Sequence, residues 1–145
     1  MKRTLRFVVV GMLASLLMGT GVTAAQAGTG YCALGSACAW KDASYEGGLH
    51  RTEINISLYW DVWFNDVTTS VAANGRSCNY TRFYADTYLT VRGNDAGSGN
   101  WFTLYSKTRM GQNYQDPNLT NGAGFDGTGT DWNDKVSAIT FTGCR

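Results

Sequence analysis

The chain has 145 residues, 13% aromatic and 16% charged, with 18 glycines, one proline and four cysteines. Three of its twelve basic residues lie in the first six positions. Residues 28–145 therefore hold nine basic and eleven acidic side chains, net −2, which offers no basic face to nucleic acid or to a membrane surface.

Lys2, Arg3 and Arg6 precede an apolar run from Phe7 to Met18, and small residues follow to Ala25-Gln26-Ala27. A positive start, a short apolar core and an Ala-x-Ala end are the parts of a cleaved secretory signal. The run is too short for a span of roughly 20 apolar residues. The expectation is a signal peptide over 1–27 and one exported domain over 28–145, free of the membrane after cleavage. That length suffices for one core.

Cys32, Cys38, Cys78 and Cys144 all lie past the signal. An even count in an exported chain reads as two disulfides. Of the three possible pairings, Cys32–Cys38 with Cys78–Cys144 is preferred, because it fastens the end of the chain. The C-x5-C spacing does not match the usual zinc ladders.

Helix periodicity is absent. Short runs rich in Val, Ile, Thr and aromatics alternate with Gly, Asn, Asp and Ser, which predicts strands and turns. Strands are expected near Ala37–Lys41, Gly48–Ile54, Thr69–Ala73, Asn79–Tyr84, Tyr88–Arg92, Trp101–Ser106 and Val136–Thr142. The Ala85-Asp86-Thr87 bend makes the fourth and fifth a hairpin. Gly93–Asn100 and Gly111–Thr130 read as loops. Most of the five tryptophans are expected in the core.

Trp63-Phe64-Asn65-Asp66-Val67-Thr68-Thr69-Ser70-Val71 is echoed 68 residues later by Asp131-Trp132-Asn133-Asp134-Lys135-Val136-Ser137-Ala138-Ile139. A repeat at this distance implies two similar supersecondary units. Asn and Asp bond their own backbone and tolerate left-handed geometry, so each copy reads first as a turn. The same bend also gathers amide, carboxylate, hydroxyl and backbone oxygens, which suit calcium; two bends together could complete what one lacks. Upstream, Trp40-x4-Tyr45-x-Gly47 marks a folded hairpin whose rings pack across a glycine bend.

Together, Trp40-x4-Tyr45-x-Gly47 and Asn65-Asp66-x-x-Thr69-Ser70 resemble the signature of a βγ-crystallin Greek-key motif. The resemblance implies an all-β, βγ-crystallin-like double Greek-key β-sandwich, with two disulfides in this chain. It also implies calcium as a cofactor, at Asn65, Asp66 and Thr69 and at Asn133, Asp134 and Ser137. In the second copy Ala138 replaces the final serine. Its upstream aromatic is either Tyr84, in Tyr84-x-Asp86-x-Tyr88, or Tyr105, in Tyr105-x4-Met110-x-Gln112. The wider layout, with Cys-x5-Cys running into Cys38-Ala39-Trp40-Lys41-Asp42 and a terminal Asn-Asp…Cys144, resembles small secreted actinobacterial proteins. These are grouped as a peptidase-inhibitor family around the Streptomyces metalloproteinase inhibitor, and the likeness covers nearly all of residues 31–145.

The resemblance implies a secreted, monomeric peptidase inhibitor with an extracellular peptidase as partner. Loop length places the inhibitory segment in 107–130, with Lys107, Arg109, Met110 and Tyr114 as its candidate residues. Alternatives are a calcium-binding structural or stress protein and a killer-toxin-like or glycan-binding module. His50, in a predicted strand, has no nucleophile elbow near it, and the chain has no phosphate-cradling glycine loop. The expectation is a non-enzyme.

Overall fold

The computed structural model describes residues 28–57, 63–86 and 100–145. The expected strand at Tyr88–Arg92, its hairpin with Asn79–Tyr84, most of the Gly93–Asn100 loop, the signal peptide and Trp60 lie outside them. The strands are β1 (Ser36–Asp42), β2 (Glu46–Thr52), β3 (Ile56–Ser57), β4 (Ser70–Asn74), β5 (Cys78–Tyr84), β6 (Trp101–Tyr105), β7 (Gln115–Asp116), β8 (Gly122–Ala123), β9 (Gly127–Thr128) and β10 (Ala138–Cys144). A single helical turn, α1 (Lys107–Met110), follows β6.

One sheet runs β2-β1-β4-β7 and the other β3-β10-β5-β6. Take β1 to β4 as one unit, and β5, β6, β7 and β10 as the second. Each sheet then holds the second, first and fourth strands of its own unit and the third strand of the other. The duplication visible in the sequence is thus a pair of interlocked Greek keys, each lending one short strand to its partner. β3 and β7 are two residues long, which is why no alternating pattern announced them.

The period-2 alternation sets the core between the sheets. Ala37 and Ala39 of β1 and Val71 and Ala73 of β4 face Phe83, Phe102, Leu104 and Ile139 from the other sheet. On the outer side of the first sheet, Cys32, Cys38, Trp40 and Ala72 make a second cluster, joined by Tyr45. This second layer explains why all five residues of β4 are buried. Trp40 and Trp132 are buried as expected, but Trp63 is 71% exposed.

The stretch 111–130 is not the structureless loop its composition suggested. β7 pairs with Val71 and Ala72, and Leu119 is fully buried. The Leu119 amide donates to Thr69 O, and its carbonyl accepts from Trp132 N–H. β8 and β9 pair with each other. At their turn a Cβ on Gly124 would stand 2.2 Å from the Thr103 carbonyl oxygen, so only glycine allows this approach. Turn-forming residues hide such packing, because one leucine is too short a signal to register as an element.

Both preferred disulfides form, Cys32–Cys38 and Cys78–Cys144, and no cysteine is free. The second joins directly opposed residues of β5 and β10. Paired cysteines point to an oxidising compartment. Among the described residues no helix is long and apolar enough to cross a membrane.

Candidate functional site: two reciprocal Asn-Asp corners

The aromatic before each Asn-Asp pair anchors its corner. Phe64 and Trp132 are 6% and 5% exposed and belong to the same core. The chain then turns outward through Asp66 and Asp134, each at φ 54°. The left-handed region is one that Asn and Asp enter more readily than other side chains.

The two corners bond to each other. Asp66 N–H donates to Val136 O at 3.2 Å, and Asp134 N–H donates to Thr68 O at 3.1 Å. Thr68 and Val136 are the same position in the two copies. The sequence shows them as variable, since only their backbone oxygens take part. Ser137 Oγ donates to Asp66 Oδ1 at 2.8 Å, so the hydroxyl of one copy serves the carboxylate of the other. The ligand sets expected within each copy are thus brought together crosswise for Asp66 and Ser137. Thr69 holds the position equivalent to Ser137.

Within each corner the asparagine Nδ2 donates to the neighbouring aspartate Oδ2, at 2.9 Å in both copies. A carboxylate can only accept, so this bond fixes the amide and turns its oxygen the other way. Asn65 Oδ1 and Asn133 Oδ1 are both buried and have no hydrogen-bond partner among the described residues. A buried carbonyl left without a partner costs about 1–3 kcal/mol, and here the same one is left in both copies. Neutral and anionic oxygens at one corner are the donor set of a hard cation. These residues fit calcium: Asn65, Asp66 and Ser137 would hold it at one corner, and Asn133, Asp134 and Thr69 at the other. Among the described residues no three His, Cys, Asp or Glu side chains cluster. The second corner also carries the Asp131 carboxylate, whose Oδ1 accepts from Asn133 N–H at 2.9 Å.

The upstream hairpin is built as its spacing required. The rings of Trp40 and Tyr45 meet edge to face at 5.2 Å, and Gly47 has φ +72° with the Asp42 carboxylate beside it. Ser70, fully buried, locks the bend: its Oγ donates to Asp42 O at 2.7 Å and accepts from Tyr45 N–H at 3.1 Å. Ser70→Ala is expected to cost about 1–3 kcal/mol in urea unfolding, because it strands two backbone groups. The register identifies the second copy's aromatic. Trp40 lies opposite Ser70, and Tyr84 lies opposite Ala138. Tyr84 is therefore the counterpart of Trp40, while Tyr105 ends the next strand. Ala138 has no hydroxyl with which to repeat the Ser70 lock.

Tyr45 has a buried hydroxyl with no hydrogen-bond partner among the described residues. Burial first, then the negative charge of Asp116 and the nearby Tyr114, push its pKa from 10.0 to about 12. Below pH 10 both folded and unfolded chains keep this proton. Between pH 10 and about 12 the unfolded chain loses it first, so stability falls through that window. Melting curves across it are expected to decline less steeply for Tyr45→Phe.

His50 is half-buried, with its ring 5.2 Å from that of Phe64. The candidate inhibitory residues Lys107, Arg109 and Met110 lie in α1, and residues 107–113 are all exposed. The base of this segment is tied down. Thr108 N–H and Oγ1 donate to Asn74 Oδ1 at 3.0 and 2.7 Å, and Arg109 Nε donates to Asn79 Oδ1 at 2.6 Å. Tyr114 is half-buried, with Lys107 Nζ 5.2 Å above its ring.

No family model matches the chain, and no curated protein matches it. Solved structures do. One, from work on the evolution of the eye-lens βγ-crystallin domain fold, is 19% identical over 81% of this chain and 95% of its own, with a TM-score of 0.56. A βγ-crystallin from Ciona intestinalis is 16% identical, covers 74% of this chain and 100% of its own, and has a TM-score of 0.50. At such identities the likeness concerns the fold. The chain has a βγ-crystallin-like double Greek-key fold.

Proposed function

We propose that this protein is an extracellular βγ-crystallin-like module whose two corners bind calcium, and that the bound ion stabilises the fold. The observation that carries the reading is the duplicated asparagine carbonyl, buried and, among the described residues, without a donor in both corners. Calcium would supply a charge shared by oxygens of both Greek keys. An ion bound by the folded chain alone stabilises it by mass action, about 2.7 kcal/mol at a hundredfold excess over Kd. Melting temperature should therefore rise at millimolar calcium and fall back with EDTA. The double variant Asn65→Ala/Asn133→Ala should show no such rise. An equal rise in that variant would exclude these corners as the site.

Peptidase inhibition is the second reading. What favours it is the exposed 107–113 segment, held at its base by the Asn74 and Asn79 side chains. A segment already ordered loses less entropy on docking into a cleft. Assays against metallo- and serine peptidases test it, with Arg109→Ala and Met110→Ala expected to weaken any inhibition. No inhibition of either class would reject it.

A further inference from the structure

The outer face of the second sheet carries a cleft of about 290 Å³ that neither reading uses. Its floor comes from alternate residues of β5 and β6, the ones that point away from the core. Tyr80 stands opposite Tyr105, and Arg82 opposite Thr103. Their rings are set in order: Tyr80 and Tyr105 are 5.5 Å apart, and Tyr105 stacks on Phe125 at 4.5 Å with 15° between planes. Phe125 and Asp126 reach this face because the turn between β8 and β9 clips onto β6. Asp126 Oδ1 accepts from Thr103 N–H at 2.5 Å, and Phe125 N–H donates to Thr103 O at 3.4 Å.

Arg82 is the group this face leaves unused. Its guanidinium lies over the Trp101 ring, 4.3 Å from the centroid. Its Nε is buried and has no hydrogen-bond partner among the described residues. Arg82 also lines the cleft, where the outer end of its guanidinium can meet an acceptor from outside. Across the same cleft the second oxygen of Asp126 can accept. A donor fork and a carboxylate beside the exposed Phe125 ring and the half-buried Tyr80 and Trp101 rings match one ligand chemistry. Hydroxyls pair with both charged groups, and the weakly positive C–H face of a sugar ring lies on the electron-rich face of an aromatic.

We propose that this cleft binds a short saccharide, with Arg82 and Asp126 taking its hydroxyls and the Phe125, Tyr80 and Trp101 rings its C–H faces. The site is separate from the calcium corners and stands whether or not they bind metal. It is tested by titrating the isotopically labelled protein with cellotetraose, chitotetraose and trigalacturonate, which sample neutral, N-acetylated and acidic sugars. At least one is expected to shift the Trp101 indole and Arg82 Nε–H resonances at millimolar concentration. Arg82→Lys, which keeps the charge but loses the fork, and Asp126→Asn, which keeps the bond to Thr103, should each weaken binding about tenfold with little change in melting temperature. Asn65→Ala should leave it unchanged. No shift at Trp101 with any of the three probes would overturn the proposal. So would a shift that survives undiminished in both cleft variants.

Discussion

Replacing Cys78 and Cys144 together by alanine is expected to lower stability by about 4 kcal/mol. The bridge spans 66 residues of sequence, so without it the unfolded chain gains the freedom of a very long loop. In the folded state little should change. Cys144 lies at the exposed end of β10, and the β5–β10 ladder continues inward through Thr142 opposite Tyr80. The effect therefore belongs mostly to the unfolded chain. Two readouts follow: a melting temperature lower by about 15 °C, and a steeper dependence on denaturant, because the released chain exposes more surface. A loss below about 1 kcal/mol would mean that the unfolded chain stays compact without its bridge.

Phe102→Ala is expected to cost about 4 kcal/mol. Phe102 is fully buried and lies opposite Phe83 in the β5–β6 register, with the rings stacked 5.0 Å apart and 9° between planes. Its other contact is Trp132, edge to face at 5.1 Å. The cavity cannot close easily. A Cβ on Gly127 would come within 2.7 Å of Phe102 Cβ, so the β8–β9 backbone already presses on this side. Trp132 anchors the second Asn-Asp corner, so the same variant should loosen that corner more than the first. Urea unfolding gives the first quantity, and amide exchange at Asn133 and Asn65 compares the corners. A cost under 1 kcal/mol would show that the core repacks around the gap.

Much of this fold is legible in the chain. The short strand-forming runs at Ala37–Lys41, Asn79–Tyr84 and Trp101–Ser106, separated by turn-forming residues, mark strands, and the repeated aromatic-Asn-Asp stretch marks the duplication. What is hidden has physical causes. β3 and β7 are two residues each, shorter than any period can reveal. Leu119 sits among Asn, Thr and Gly, residues that read as loop whether or not a leucine among them fills a core. The crosswise bonding of the corners uses the backbone oxygens of Thr68 and Val136, which leave no trace in side-chain identity. The cleft on the second sheet is built from β5, β6 and a turn some twenty residues downstream of β6, and only the fold brings Asp126 to Thr103. The counterpart of Trp40 required register: Tyr84 and Tyr105 differ little in sequence context, but only Tyr84 lies across from Ala138.

Titration calorimetry with calcium on the unaltered protein and on Asn65→Ala, Asn133→Ala and the double variant tests the duplicated corners most directly. Equivalent corners predict two ions per chain, one lost with each single change and both with the double, at a Kd on the order of 10⁻⁴ M. Absence of heat in the unaltered protein, or binding retained in the double variant, would contradict them.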